Sequence, residues 1–381
     1  MSEVRITGVG LHPFGRFGEL TGTAMGVVAV QAALAEAGIG VGDVQAAFCG
    51  TAYGGVAAGH RVLASLAGTG IPIYDVEAGC ASGGAALQLG AASIASGQHD
   101  RVLVFGIEKM PKGIIRSSFF APWQEAAGLS PAPAFFALRA QRLLADTGLT
   151  VDHLAQVVVK NRRHGASNTD AMYQKEISAE DVLASRVVCE PLHLFMLCSP
   201  NEGAAAVVLT REGPRTGASP APVTLAGAVL RSHLPGAVLS ESTPLSGLTD
   251  DDVPSPTTLA ATAAFEEADL GPSDLDVVEC QDTDAARELM SYEEIGLCEP
   301  GGSAELLDSG ATALGGRLPV NPSGGLLSKG EPLGASALGQ VVELVRQLRG
   351  ECGSRQVEGA RVALSHTVGR GANAGVVILT R

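Results

Sequence analysis

At 381 residues the chain is long enough for two domains with substantial cores, and 46% apolar against 17% charged residues is the balance of an ordinary soluble protein. A net charge of −14 argues against nucleic acid and against anionic membrane surfaces as partners, since either needs a basic patch. Forty-nine glycines and few aromatics imply tight turns and elements packed closely together.

The N-terminal MSEVRITGVGLHPFGRFGEL lacks the basic segment and apolar run of an export signal. No uninterrupted apolar stretch reaches membrane-spanning length, so neither export nor membrane insertion is expected. Helical period is predicted over 22–37, followed by strand-like VQAAFCG (44–50) and IPIYDV (71–76). A small-residue helix follows over 81–97, then the strand DRVLVFGI (100–107), helices over 134–147 and 151–163, and the strand GAAAVVLT (203–210). GPRTGASPAPV (213–223) reads as a connector and divides the chain into residues 1–212 and 224–381. Beyond it come a helix over 257–269, the strand DVVECQD (276–282), helices over 283–296 and 335–350, and the strands ARVALSHT (360–367) and AGVVILT (374–380). Alternating strands and Ala-rich helices make a layered α/β pattern, and the similar ends of the two halves hint at duplication.

Seven cysteines, at 49, 80, 189, 198, 280, 298 and 352, form an odd, scattered set without CxxC or Cys/His metal spacing. A reduced, cytoplasmic compartment is the simplest reading, and no metal or other cofactor is expected. Acidic DDDVPSP (250–256) reads as an exposed loop, because no second ligand cluster accompanies it. Neither GxGxxG nor GxxxxGK[ST] occurs between a strand and a helix, which leaves a nucleotide-phosphate cradle unsupported. Cys80 differs from the other cysteines by falling between a strand and a helix. The positive end of the helix dipole and the unpaired N–H groups there favour thiolate, so Cys80 is the leading nucleophile candidate; the alternative is a buried structural cysteine.

Residues 48–110, which include VEAGCASGGAALQLGAASIASG, resemble the nucleophile half of thiolases of the sterol-carrier-protein type, also described as lipid-transfer-protein-like acetyl-CoA acetyltransferases. KNRRHGASNTDA (160–171), CSPNEGAAAVVL (198–209), NPSGGLLSKGEPLGASALGQVVELVRQLRG (321–350) and ALSHTVGRGANAGVVIL (363–379) extend the resemblance in the right order. It implies a thiolase fold of two similar halves, stacked as a five-layer α-β-α-β-α sandwich, with a loop region inserted at about 111–200. It also implies a homodimer, a coenzyme A thioester as substrate, and Cys80 as the acyl carrier. Such an anionic substrate calls for local positive charge at the site.

Two elements depart from the family pattern. Where the family carries histidine in GHPxGA, this chain reads GEPLGA with Glu331; where an HDxF-like element has histidine, it reads QDTD with Gln281. Glutamine never titrates, so Gln281 is expected to orient substrate or bind an oxyanion. An ionised Glu331 would raise the pKa of a neighbouring thiol, whereas a desolvated Glu331 would become a general base. By the resemblance, His366 in SHTVG takes an acid/base position, and His164 shapes the inserted region or contacts substrate. The N–H groups around Gly369 and Gly371 are candidate oxyanion donors, and Arg370, inserted in GRGANAG, is a candidate for local positive charge. The six remaining histidines show no constellation, and Tyr292 reads as a packing residue.

Three functions stay open at this point. The first is a thiolase-like acyltransferase acting through a Cys80 acyl-enzyme, with Glu331 and His366 moving protons. The second is a retro-aldol lyase on a 3-hydroxyacyl thioester with Glu331 as base, in which case the resemblance admits a small OB-fold partner protein. The third is a non-catalytic thiolase-like subunit.

Overall fold

A strand covered on both faces reads as an unbroken apolar run rather than as an alternation, and GAAAVVLT is such a run. In the computed structural model, β7 (Glu202–Thr210) is buried at every position. The structure describes residues 3–68, 70–116, 122–128, 130–211, 220–234, 253–369 and 373–381.

The first half comprises β1 (Arg5–Gly15), α1 (Gly22–Ala37), β2 (Ala46–Gly50), α2 (Ala58–Ala64), β3 (Ile73–Val76), α3 (Ser82–Ala95) and β4 (Arg101–Lys109). Between β4 and β7 the chain inserts α4 (Pro122–Ala126), α5 (Ala132–Asp146), α6 (Val151–Gly165), α7 (Ala179–Ala184) and the small hairpin β5 (Val187–Cys189) and β6 (Leu192–His193). The second half runs through β8 (Val223–Ser232), α8 (Pro256–Ala268), β9 (Val277–Glu279), α9 (Ala285–Glu294), α10 (Ser303–Asp308), α11 (Gly325–Lys329), α12 (Leu333–Arg349), β10 (Val362–Gly369) and β11 (Asn373–Thr380).

The larger strands form one mixed sheet in the order β3-β2-β4-β7-β1-β8-β11-β10-β9. Its two halves join where Arg5 and Ile6 of β1 pair with Thr224 and Val223 of β8. Helix α1 covers the outer face of the first half, and α8 packs on β8 and β11 at the outer face of the second. Helices α3 and α12 lie between the halves and touch strands of both, which yields the five layers α-β-α-β-α. A helix enclosed between the two halves of the sheet is apolar or small where it meets them; the Ala, Gly and Ser of α3 and of the first turns of α12 meet that demand, and farther along α12 the buried Glu343 is paired with Arg355. Apolar clusters fill the two outer interfaces and the middle one.

Strands β1 and β8 are absent from the strands predicted above. Irregular register between Ile6 and Gly8, and again between His12 and Gly15, breaks the period of β1. Strand β8 starts at Val223, the last residue assigned to the connector, and the Pro/Gly/Ser run before it masks its onset. Residues 213–219 of that connector, and Asp250, Asp251 and Asp252 of the acidic stretch, lie outside the described residues. Among the described residues no helix is long and apolar enough to cross a membrane.

Backbone contact fixes where α12 begins. A Cβ added at Gly106 in β4 would stand 2.1 Å from the Gly334 carbonyl oxygen and 2.9 Å from the Ala335 Cα. Overpacking against backbone that cannot yield costs about 1–3 kcal/mol. Gly106→Ala is therefore expected to lower unfolding stability by at least that much in a denaturant titration; an unchanged midpoint would show that α12 is free to shift.

Candidate active site

After β3 the chain turns sharply, with Gly79 in the left-handed region at φ 59°, and Gly79–Ala81 form a short 3-10 turn that runs into α3. Ser82 clamps this turn: its Oγ accepts from the Ala78 N–H at 2.9 Å and donates to the Gly79 carbonyl at 2.6 Å. Cys80, 6% exposed, sits in the turn at the head of α3. Its carbonyl accepts a 3.5 Å bond from Ser336 Oγ on α12, which ties the nucleophile turn to the other central helix. At the end of β10, Gly369 abuts this turn so closely that a Cβ would lie 1.9 Å from the Ala78 oxygen. Gly369 itself pairs with Asn373 in the β10–β11 ladder. Arg370 and Gly371 lie outside the described residues.

Glu331 reaches the site from the loop between α11 and α12. Its N–H donates to the Ser199 carbonyl at 2.9 Å and its carbonyl accepts from the Asn201 N–H at 3.4 Å, so the segment before β7 holds it from the first half. Both carboxylate oxygens are occupied: Oε1 accepts from Gln281 Nε2 at 2.8 Å, and Oε2 accepts from the Cys198 thiol at 3.1 Å. Only 4% of Glu331 is exposed. Gln281, just after β9, is left with its own buried carbonyl oxygen unpaired. The next residue, Asp282, caps α11 through the N–H groups of Leu326 (2.6 Å) and Leu327 (3.1 Å), so one loop sets the position of both Gln281 and the approach to Glu331.

Cys198 is a site residue that the sequence reading leaves among the scattered cysteines; the only signal is its place at the head of the CSPNEG match. Burial pushes its thiol well above the ordinary range, and the charge and hydrogen bond of Glu331 push it further the same way. It therefore stands beside the carboxylate as a protonated donor.

One cavity of about 320 Å³ is lined by Cys80, Cys198, Gln281 and Glu331 together. The inserted region supplies an apolar wall through Ile114, Ile115, Phe136, Val188, Leu194 and Phe195. Arg162, Arg186 and Arg287 also reach it, so positive charge gathers here in an acidic chain. No group of histidine, cysteine or acidic side chains among the described residues is arranged to hold a metal.

Two histidines expected at the site are elsewhere. Side chains alternate along a strand: Ser365 of β10 bonds Gln340 of α12 at 3.0 Å, whereas His366 next to it turns to α8, where Nε2 pairs with Thr257 Oγ1 at 2.9 Å. The His366 ring is fully buried outside the cavity lining, and burial, reinforced by the Arg287 charge, holds its pKa well below the usual 6.5. It does not stand where it could exchange protons with substrate in the cavity. His164 is equally buried and bridges two segments: its Nε2 accepts from the Leu314 N–H at 3.0 Å while Nδ1 donates to the Asn321 carbonyl at 2.9 Å. Burial lowers its pKa to about 4. It holds the inserted region to the second half rather than lining the cavity. Tyr292, read as a packing residue, is fully buried and donates to Glu288 at 2.6 Å.

With this geometry in hand, residues 4–213 match the thiolase N-terminal domain and residues 242–381 match the thiolase C-terminal domain-like family. The chain belongs to the thiolase superfamily. It is 36% identical over 370 residues to bovine sterol carrier protein 2, covering 92% of this chain and 66% of that protein, just under two thirds of its length. With the acetyl-CoA acetyltransferase of Methanothermobacter thermautotrophicus it shares 35% identity over the full length of both chains. The solved Ltp2-ChsH2(DUF35) aldolase superposes at a TM-score of 0.87 with 24% identity, covering 100% of this chain and 98% of that one, a likeness of fold. In this chain Glu331 and Gln281, the two residues that depart from the motifs noted in the sequence, are hydrogen-bonded to each other, and Cys198 donates to the same carboxylate.

Two expectations follow. In a Cys80→Ala background, Glu331→Gln removes the charge that adds to burial in raising the Cys198 pKa; each unit by which that pKa falls gives about tenfold more thiolate. Alkylation of Cys198 near pH 8, followed by mass spectrometry, should accelerate, and an unchanged rate would show that Glu331 does not control this thiol. His164 stays neutral in the folded protein down to about pH 4, whereas an unfolded histidine takes up a proton near 6.5. Its contribution is complete above pH 6.5 and is lost as pH falls to 4, about 3 kcal/mol in all. Relative to His164→Gln, the wild-type protein should show a steeper loss of unfolding free energy across that window.

Proposed function

We propose that this thiolase-superfamily protein is an acyltransferase acting on an acyl thioester of the coenzyme A class, with Cys80 as acyl carrier and Glu331 as proton-transfer group. One observation supports this above the others: the thiol at the head of α3 and the carboxylate line the same cavity. In the forward step, Cys80 Sγ bonds to the thioester carbonyl carbon, the bond from that carbon to the donor sulfur breaks, and the Cys80 proton passes by way of Glu331 to the departing thiolate. The acceptor then attacks the acyl-enzyme and gives its proton to the same carboxylate. Gln281 orients that carboxylate through the bond to Oε1, and Cys198 holds Oε2. His366 has no part in this scheme, because its ring faces α8.

A second reading, retro-aldol cleavage of a 3-hydroxyacyl thioester, draws on the same burial of Glu331. There the carboxylate takes the hydroxyl proton, the bond between C2 and C3 breaks, and the thioester enolate is reprotonated, with no acyl group on Cys80. The proposal includes a cytoplasmic homodimer and a small OB-fold partner protein; the Ltp2-ChsH2(DUF35) aldolase, similar in fold, is itself named for two components.

Intact-mass measurement after incubation with short acyl-CoA thioesters should show one acyl adduct, lost in Cys80→Ala. Glu331→Gln should slow its formation about 10²- to 10⁴-fold, the usual weight of a general base. Absence of an adduct with every donor would reject acyl transfer, and a carbon–carbon cleavage activity that survives in Cys80→Ala would establish the second reading.

A further inference from the structure

Among the described residues, the buried cations are neutralised with one exception. Arg139, Lys160, Arg287, Lys329, Arg349 and Arg355 each face a carboxylate. Arg162, on α6 and only 6% exposed, faces none: among the described residues its guanidinium makes no ion pair, and its buried Nε has no hydrogen-bond partner. Its Cζ lies over the Tyr173 ring at 4.1 Å from the centroid and 5.7 Å from that of Phe195, and all three residues line the cavity that holds Cys80 and Glu331.

A buried guanidinium without an anion is costly, because its desolvation is not offset by attraction or by hydrogen bonds. Contact with aromatic rings satisfies none of the guanidinium N–H groups by a conventional hydrogen bond, so the donors of the fork remain for a ligand. The partner that suits such an edge is planar, anionic and presents two oxygens, which is the geometry of a carboxylate. The apolar wall of the cavity favours entry of a compact anion carried on a hydrocarbon chain.

We infer that the cavity takes acyl thioesters whose acyl part bears a free carboxylate, and that Arg162 receives that carboxylate. The inference deepens the acyltransferase reading and rests on it for the thioester at Cys80. Arg162 is thereby a specificity residue: it selects a dicarboxylic acyl group over the plain acyl group of the same length. The phosphates of coenzyme A are common to both members of such a pair and cancel in the comparison.

The test uses unreactive thioether analogues of coenzyme A in matched pairs, with a terminal carboxylate or a terminal methyl on a chain of equal length, from about four to eight carbons, the span a cavity of this class of size admits. Titration calorimetry on the full chain should show at least one length at which the carboxylated analogue binds about ten- to a hundredfold tighter, the range for a charge-assisted hydrogen bond. Arg162→Met should abolish or invert that preference while leaving the methyl analogue nearly unchanged; Arg162→Lys, which keeps the charge and loses the planar fork, should fall between. Equal affinities across all pairs in the wild-type protein would overturn the inference, even if Arg162→Met fails to fold. So would a loss that is equal for both members in Arg162→Met, which would assign the residue to the coenzyme A portion. Because binding needs no acyl-enzyme, a carboxylate preference without any adduct on Cys80 would sustain this inference while rejecting acyl transfer. An adduct without preference would do the reverse.

Discussion

Two backbone hydrogen bonds, from the Glu331 N–H to Ser199 and from the Asn201 N–H to the Glu331 carbonyl, stitch the loop before α12 to the segment entering β7. Cys198 lies one residue before Ser199, so the stitch brings a thiol of the first half against a carboxylate of the second. Because α12 starts two residues after Glu331 and passes between the two halves of the sheet, the carboxylate is anchored from behind by a long helix buried along nearly its whole length. Cys80 is bound to the same helix through Ser336. The site is thus a property of the interface between the halves, and neither half carries it alone.

Charge is handled differently at this interface and in the surrounding core. Around the inserted region, Lys160, Asn161 and Asn321 satisfy Glu288, and Ser323 and Lys329 satisfy Glu279, so buried acids there have fixed donors and serve packing. Glu331 instead receives donors from two groups that face the cavity and can be exchanged for substrate atoms. Arg162 is the cationic counterpart of this arrangement: it is held by aromatic faces rather than by an acid, in the same cavity. A chain with a net charge of −14 has ample carboxylates to neutralise one more arginine, which makes its isolation a feature of the site rather than of composition.

Long periodic elements are legible in the sequence because burial writes its period directly. Helix α1 occupies the predicted 22–37, and α8 and α12 lie one or two residues from prediction. Irregular register hides β1, and an adjoining connector hides the start of β8. At the site, Cys80, Gln281 and Glu331 are legible because local motifs mark them: a strand-to-helix turn, and two departures from a known pattern. Cys198 and Arg162 are not, because what distinguishes them is tertiary, a carboxylate brought from 133 residues away in one case and the lack of one in the other. His366 and His164 fail for the complementary reason. A matched position in a strand or helix does not say which face the ring takes, and here Thr257 on one side and Leu314 with Asn321 on the other claim the rings.

The two departures from the family pattern are one contact. Gln281 and Glu331 lie 50 residues apart in the chain and touch at 2.8 Å, so each defines the electrostatics of the other. An imidazole in either seat brings both a donor and an acceptor and titrates near neutrality. Amide and carboxylate divide those roles: Gln281 supplies a donor that never titrates, and Glu331 supplies an acceptor whose charge the amide and the Cys198 thiol steady. Replacing only residue 331 would have left a buried carboxylate facing an imidazole, a pair that draws a proton to the histidine and fixes it as a cation. With both replaced, the amide donates to one carboxylate oxygen and the Cys198 thiol to the other, so the acceptor at residue 331 is held in place by two groups that line the cavity with it.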